Sequence, residues 1–290
     1  MGTSKSSSGS PPGVPMVPPW TPDPLPPVPP APEDQPSDDG LDGDTNNGPQ
    51  GGPDAPPSSA EPNPIAPAGR FGPARTSLGR FARSGSSGDM RKGLGRYVSK
   101  GWGGSATATR RLNGTARTAG TLYGALSALA TGQGAVTAVP LERAILAGRS
   151  ANDIMRAVVE AVRPVDGTQD AEATRDAIKS AASELLDKNP DADFLALSEA
   201  DRLFMVERFL ANDIFNHLVL DIGQAIQKNA PTASASSARF REMKNYVKQA
   251  VSAAFRKLLK AGEALTARRV SAISRQCIRE AMDVFEAGAE

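Results

Sequence analysis

The sequence of 290 residues has one cysteine, Cys277, and one histidine, His217. A single cysteine excludes an internal disulfide, and these two residues are too few for any ordinary zinc-ligand set. No phosphate-binding GxxxxGK[ST] loop is present, and no apolar run reaches the ~18 residues that a membrane span requires. Ser, Gly and Pro dominate the start of the chain, which therefore lacks the apolar core of a signal peptide. These absences predict a cytoplasmic protein without metal, cofactor or membrane contact.

Proline is scarce in most of the chain but abundant at its start: 21 of the 25 prolines lie within residues 1–73. Residues 1–69 also have few large apolar side chains and a net charge of −8. Such a segment cannot bury enough apolar surface to offset backbone ordering, which costs roughly 1–2 kcal/mol per residue. We therefore expect residues 1–69 to form a disordered, acidic, proline-rich tail.

The overall net charge of +1 conceals a strongly basic segment after this tail. Residues 70–120 have a net charge of +10, whereas residues 121–290 have a net charge of −1. We interpret residues 70–104, which are rich in Arg, Gly and Ser, as a transition segment with short helical turns near 78–82 and 97–100. Charge asymmetry of this kind indicates an interaction segment rather than a particular fold.

Residues 105–290 show the periodicity of helices, with apolar residues three and four positions apart and no useful length of strand-like alternation. Ser150, Thr168 and Ser198 are typical helix N-caps, and Pro164 and Pro190 mark helix ends. The sequence therefore predicts an all-α helical bundle of about six helices in residues 105–290.

Two glycines in the first part of this domain indicate a close helix contact. Gly120 and Gly124 are four residues apart, so they share one face of a predicted helix. The same spacing occurs in membrane helix dimers. We favour the alternative, tight packing against a second helix in the protein core, because no membrane span is present.

The two rarest residues give little support for catalysis. His217 lies in the most strongly amphipathic predicted helix, where a surface or partly buried side chain is a simpler interpretation than a general base. Cys277 lies between Ile273 and Ile278, which favours a small buried apolar role. A Cys–His pair requires the two side chains to meet in space, which the sequence does not show. We therefore expect no catalytic residue and a protein that is not an enzyme.

The basic segment is the strongest candidate for a binding function. Its cations alternate with Phe71, Phe81, Tyr97 and Trp102 in a glycine-rich context, and such a combination can neutralise phosphates and stack on bases. The alternative is a solvated positive hinge that contacts the acidic tail or an acidic partner. The candidate residues are Arg70, Arg75, Arg80, Arg83, Arg91, Lys92, Arg96, Lys100, Arg110, Arg111 and Arg117.

The first residues suggest a modification site. The chain starts Met-Gly-Thr-Ser-Lys-Ser, and a small second residue permits removal of Met1, which leaves an α-amine on Gly2. The pKa of an α-amine is about 8, so a usable fraction is neutral and nucleophilic at physiological pH. The same residues fit the N-myristoylation pattern MGxxx[ST], and a third interpretation is that Gly2 is simply a permissive second residue.

Residues 1–20 and 93–126 carry a resemblance to a known family. The start of the chain, followed by Val14-Pro-Met-Val-Pro-Pro-Trp20, and the later segment Tyr97-Val-Ser-Lys-Gly-Trp102-Gly-Gly resemble the QatB family of the Qat anti-phage defence system. The resemblance implies three partners: an ATPase, a QueC-like enzyme and a TatD-like nuclease. It also implies a bacterial setting, in which the transferase that myristoylation needs is not expected.

The resemblance suggests a chemical role for Gly2. QueC-type enzymes use ATP to activate a deazapurine carboxylate for attack by ammonia. We hypothesise that the Gly2 amine replaces ammonia, so that a deazaguanine becomes joined to Gly2 by an amide. The protein would then be a non-catalytic component of a Qat complex, with a helical body that docks on partner proteins. The alternative is a nucleic-acid-binding adaptor that acts through residues 70–117.

Overall fold

A computed structural model describes residues 69–132, 141–259 and 265–289 of the chain. The predicted disordered tail therefore lies outside the described residues. Ten α-helices and one π-helical turn, but no β-strand, are found in the described ranges. They are α1 Gly72–Ser84, α2 Ser87–Arg96, the π-helical turn Tyr97–Gly101, α3 Ser105–Arg111, α4 Asn113–Thr131, α5 Arg143–Leu146, α6 Ala151–Val162, α7 Gln169–Lys188, α8 Glu199–Asn229, α9 Ala233–Leu258 and α10 Ala267–Ala287. None of these helices is long and apolar enough to cross a membrane.

The all-α prediction is confirmed, but the predicted number of about six helices was too low. Residues 70–104, for which we expected only short turns, form two complete helices and the π-helical turn. Residues 105–131 form two helices rather than one, because the helical backbone is interrupted at Leu112, which separates α3 from α4. Arginine and glycine dominate the composition of residues 70–104, so the apolar residues on one side of each helix are not obvious in the sequence. In the structure these residues, among them Leu78, Phe81 and Leu94, are buried in the core.

The predicted helix starts are confirmed by their capping geometry. The side chains of Ser150, Thr168 and Ser198 each accept a hydrogen bond from a backbone N–H three residues later. The O···N distances are 3.2 Å, 3.1 Å and 3.1 Å, respectively. Each of these bonds satisfies one of the N–H groups that have no partner within the first turn of a helix.

Helix α8 is the centre of the fold. It contacts α1, α4, α7 and α9, and most of its apolar residues at spacings of three and four are buried, while Leu203, Phe204 and Phe215 are partly buried. Phe209, Leu210 and Ile222 are each 0% exposed. The amphipathic pattern predicted for this segment therefore corresponds to the central surface of the core.

Residues 70–104 belong to the same hydrophobic core as the helices that follow them. Leu78, Phe81 and Leu94 are completely buried within one continuous cluster of apolar side chains. Two glycines make this packing close, because a Cβ at Gly95 would lie 2.3 Å from the backbone nitrogen of Ala289 and one at Gly101 would overlap the ring of Phe71. The glycines of this segment thus serve packing between helices.

The predicted close contact at Gly120 joins α4 to α10. A Cβ at Gly120 would lie 2.5 Å from the carbonyl oxygen of Ala267 and 2.8 Å from Cβ of Ser271. At Gly124 the nearest atom would be Cβ of Ala267, at 3.2 Å. The two helices therefore approach along a glycine face, as the four-residue spacing predicts for a tightly packed core.

Candidate functional site

Three aromatic residues of the basic segment form one cluster. The rings of Phe71 and Tyr97 are stacked, with centroids 5.2 Å apart, and Trp102 meets them edge-on at 5.6 Å and 6.0 Å. Phe71 and Tyr97 are only 7% and 4% exposed, and Phe81 is completely buried. Aromatic rings can stack on bases only when a face is accessible. Phe71, Tyr97 and Phe81 therefore stabilise the fold and present no face to a nucleic acid.

The aromatic cluster is joined to α8 by a polar contact. The Tyr97 hydroxyl donates a hydrogen bond of 2.8 Å to Oδ2 of Asp221. Burial, followed by the nearby Asp221 carboxylate, raises the pKa of Tyr97 well above its usual value, so the phenol remains protonated as a donor. Arg75 adds a second link, because its guanidinium donates to the backbone carbonyl of Asp221 at 2.7 Å and 3.3 Å.

Four further cations of the basic segment have partners within the fold. Arg70 lies over the rings of Phe71 and Trp102, at 4.6 Å and 4.4 Å from the two centroids. The other three each bond to a polar side chain: Arg80 to Asp89 at 3.1 Å, Arg83 to Asn229, and Arg96 to Ser77 at 2.9 Å. Together with Arg75, five of the eleven candidate cations are thus engaged in contacts that stabilise the domain.

The side chains of the remaining six candidates make no hydrogen bond or ion pair to a distant part of the described domain, although Arg110 donates to Thr107 in its own helix at 3.0 Å and Arg111 lies 6.0 Å from the centroid of Trp102. They are distributed between two places. Three are in or next to α2, and three are residues of α3 and α4; the six are Arg91, Lys92, Lys100, Arg110, Arg111 and Arg117. A groove of about 400 Å³ is lined by Thr109, Arg110, Asn113 and Arg275. Arg275 comes from α10, so the structure adds to this group a cation that sequence reasoning missed. The absence of acidic residues from the first half of α10 was a signal that could have revealed it.

His217 is partly buried beside two carboxylates. Its side chain is 22% exposed, and its ring nitrogens lie 3.7 Å from Oδ2 of Asp213 and 3.9 Å from Oδ1 of Asp170. Asp213 is completely buried and accepts a hydrogen bond of 2.7 Å from the hydroxyl of Thr115. Burial raises the pKa of Asp213, against the effects of His217 and Thr115, which lower it.

The contacts around Asp213 connect three helices rather than activate a nucleophile. The Thr115 hydroxyl donates to the carboxylate, so it is not hydrogen-bonded to the imidazole that would remove its proton in a hydrolytic triad. Thr115 belongs to α4, Asp213 and His217 to α8, and Asp170 to α7. This arrangement agrees with the interpretation of His217 as a partly buried structural side chain.

Cys277 occupies the buried position that its neighbours predict. It is completely buried on α10, and its thiol lies 3.5 Å from the backbone oxygen of Val251 on α9. Burial, and then the nearby Glu207 and Glu280, raise the pKa of Cys277 to about 12. A thiol in this state is a poor nucleophile near neutral pH. Within the part of the chain that the structure describes, no group of three or more His, Cys, Asp or Glu residues could hold a metal ion.

A comparison with protein families identifies the chain. Residues 103–285, from just before α3 almost to the end of α10, match the family described as Qat anti-phage system associated protein QatB. The chain belongs to the QatB family. The resemblance noted in the sequence is thereby confirmed, and with it a role in the Qat anti-phage system.

The region matched by the QatB family comprises most of the helical domain. It covers α3 to α10 and therefore includes the arginines of α3 and α4 as well as Arg275. The family description names an associated protein of the defence system and no enzymatic activity. No curated protein and no solved structure matches the chain. Gly2, the predicted modification site of this QatB protein, lies outside the described residues.

Proposed function

We propose that this chain is a non-catalytic component of the Qat system, and that the amine of Gly2 is the substrate of a QueC-like partner. The observation that carries the proposal is the QatB match over residues 103–285, which assigns the chain to that system. The sequence before the matched region supplies the substrate: a proline-rich segment that starts Met-Gly and contains only one lysine, Lys5, before residue 70.

The proposed reaction joins the Gly2 amine to an activated deazaguanine carboxylate. The neutral amine attacks the carbonyl carbon, an amide C–N bond forms, the bond to the ATP-derived activating group breaks, and the nitrogen loses a proton. The QueC-like partner supplies ATP binding and activation, so this chain needs only an unhindered, neutral amine. An α-amine on glycine meets that requirement, because its pKa of about 8 leaves a usable neutral fraction at physiological pH.

The helical body is proposed to dock on partner proteins, above all on the ATPase of the system. Two exposed large apolar side chains flank α6 in the chain and support docking there: Ile145, on α5, is 62% exposed and Val165, just after α6, is 60% exposed. Between α6 and α7 lies a groove of about 480 Å³, with an apolar floor that includes Met155 and Leu186 and a cationic rim that includes Lys179. Exposed apolar groups with polar rims are typical of protein interaction sites.

The test of the modification is the intact mass of the protein, purified alone and after co-expression with the QueC-like enzyme. We expect a mass increase of one deazaguanine acyl group, located on the peptide that begins at Gly2. A matched Lys5→Arg variant should be modified equally, because the proposal assigns the reaction to the α-amine. An unchanged mass, with only Met1 removed, would contradict the proposal.

The test of docking is co-purification with the ATPase. An Ile145→Glu, Val165→Glu double variant should lose the partner, because two charges would be introduced into an apolar contact. The matched control is Leu220→Glu with Val284→Glu, which changes two other exposed apolar residues, 47% and 51% exposed. Equal retention of the ATPase by both double variants would show that the surface near α6 is not the docking site.

A further inference from the structure

Helices α4 and α10 pack side by side in opposite directions. Nε of Arg275 donates a hydrogen bond of 2.9 Å to Oδ1 of Asn113 at the start of α4. Two helical turns further along α4, Gly120 lies against Ala267 and Ser271, near the start of α10. The order of contacts is therefore antiparallel, and the first half of α4 lies beside the first half of α10.

Both halves carry cations and no acidic side chain. No Asp or Glu occurs between Asp89 and Glu142, or between Glu263 and Glu280. Within these intervals, arginines lie on α2, α3, α4 and α10. We define the α4–α10 arginine surface by four of them: Arg110, Arg117, Arg268 and Arg275.

The alignment of α4 with α10 places these arginines along the line of contact between the two helices, which we call the seam. Asn113 and Arg117 are four residues apart on α4, and Arg268, Ser271 and Arg275 follow a spacing of three and four on α10, so each set shares one helix face. Asn113, Ser271 and Arg275 are residues that touch across the seam. The arginines therefore border the seam, and Arg110 and Arg275 both line the groove of about 400 Å³ at its α3 end.

Arg268 lies where the helix dipole disfavours a cation. It is the second residue of α10, at the positive end of that helix, and the first turn of α10 contains no Asp or Glu that would offset its charge. Among the described residues Arg268 has no hydrogen-bond or ion-pair partner that would offset this unfavourable position. An exposed guanidinium without a partner among the described residues is available to bind an anion at this position.

We infer that the α4–α10 arginine surface binds the phosphate backbone of a nucleic acid. Guanidinium groups match phosphate oxygens in geometry and charge. Arg268 and Arg275 are seven residues apart on one helix, a rise of about 10 Å, which is the length of DNA helix axis over which one strand carries about three phosphates. The aromatic rings of Phe71, Phe81 and Tyr97 are buried, and the partly buried Trp102 packs against two of them, so we assign the contact to the backbone, independent of base sequence.

This surface differs from the interface that the sequence offered as an alternative. That interface was residues 70–117, but Arg70, Arg75, Arg80, Arg83 and Arg96 are engaged within the domain. The inferred interface keeps only Arg110 and Arg117 from that prediction and adds Arg268 and Arg275 from α10. It is independent of Gly2, and its loss would leave modification of the amine unchanged.

Binding of the full-length protein to a mixed-sequence DNA duplex, measured by fluorescence anisotropy over a salt series, tests the inference. We expect log Kd to depend linearly on log salt, with little difference between unrelated sequences. An Arg117→Gln, Arg268→Gln, Arg275→Gln variant should bind about tenfold or more weakly. Its salt slope should decrease by about 2.7, because each phosphate that is no longer neutralised accounts for about 0.9.

The control variant removes the same number of charges elsewhere. Arg149, Lys228 and Arg241 are exposed and have no partner among the described residues, so Arg149→Gln, Lys228→Gln, Arg241→Gln should keep affinity within about twofold. Far-UV circular dichroism and thermal unfolding verify that both variants fold. Equal reductions of affinity in the two variants, or no binding of the duplex by the unaltered protein, would overturn the inference.

A competition experiment separates nucleic acid from an acidic protein segment as the ligand. A synthetic peptide of residues 33–61, which carries eight of the acidic residues of the chain, is titrated against the protein–duplex complex. We expect the duplex to remain bound at equal concentrations of peptide and duplex. Displacement of the duplex by the peptide would assign the surface to an acidic polypeptide instead.

Discussion

The hydroxyl of Tyr97 donates a hydrogen bond of 2.8 Å to Asp221, which lies 124 positions further along the chain. This contact attaches the basic, glycine-rich segment to the central helix α8. Burial also raises the pKa of Asp221, while the bond from Tyr97 lowers it and so favours the ionised carboxylate. The bond from the Tyr97 phenol therefore offsets part of the cost of burying this carboxylate, and the nearby Arg70 adds to that effect.

Removal of that phenol should destabilise the domain. We expect Tyr97→Phe to lower the free energy of unfolding by about 1–2 kcal/mol, because it leaves a partly buried carboxylate without its donor. Urea unfolding followed by circular dichroism measures the change. The control is Tyr246→Phe: that ring packs against Phe285, with centroids 5.7 Å apart, and the substitution keeps this contact. A Tyr97→Phe variant as stable as the Tyr246→Phe variant would show that the bond contributes little.

The close contact between α4 and α10 gives a second stability prediction. Gly120→Ala should lower the free energy of unfolding by about 1–3 kcal/mol, because the added Cβ would overlap the backbone of α10. Gly114→Ala is the matched control in the same helix, since nothing lies within 4 Å of a Cβ at that position. The control should be unchanged or stabilised by up to about 1 kcal/mol, the difference in helix propensity between Gly and Ala. Destabilisation of both variants to the same extent would contradict the close approach.

The buried carboxylate of Asp213 predicts a pH dependence of stability. Its pKa is raised by burial, although His217 and Thr115 oppose the shift, so the folded chain holds this proton to higher pH than the unfolded chain does. The contribution of Asp213 to stability is therefore fully present below the unfolded pKa, about 3.9, and is lost as pH rises through the folded pKa. Asp213→Asn cannot titrate, so its stability relative to the unaltered protein should increase with pH in that interval.

An exposed carboxylate supplies a control of the opposite sign. Hydrogen bonds from the side chain and backbone of Thr168 lower the pKa of Asp166, so its contribution is present above the unfolded pKa and is lost as pH falls through the folded pKa. Asp166→Asn should therefore become relatively less stable as pH rises. Urea unfolding of both variants from about pH 3 to about pH 8 measures the two trends, and trends of the same sign would contradict the assignment for Asp213.

The proposed modification predicts a defect in phage defence that does not involve unfolding. Deletion of Gly2, or an N-terminal tag that blocks its amine, should abolish protection against phage in cells that carry the complete system. Thermal unfolding of the purified variants should be unchanged, since no described contact of the helical domain involves Gly2. A cleavable tag is the control: protection should return when cleavage restores a free glycine amine. Full protection from the tagged protein would contradict a role for Gly2.

Much of the helical architecture could be predicted because its signals are local. The caps at Ser150, Thr168 and Ser198 act over three residues, and the amphipathic stripe of α8 repeats every turn. The candidate binding site could not be predicted in the same way. Arg83 and Arg110 are alike in the sequence, but one contacts Asn229, 146 positions away, while the other lines an exposed groove.

The sequence by itself determined that the described parts of residues 105–290 are helical, where three of those helices begin, and that the chain resembles the QatB family. Only the tertiary structure decided that residues 72–101 are helices of the same core and that α10 supplies cations to the surface of α4. The physical reason is the distance in sequence between partners: Tyr97 and Asp221 are 124 positions apart, and Asn113 and Arg275 are 162 positions apart. Periodicity and capping do not extend over such separations, whereas burial and hydrogen bonding in the folded chain depend on them.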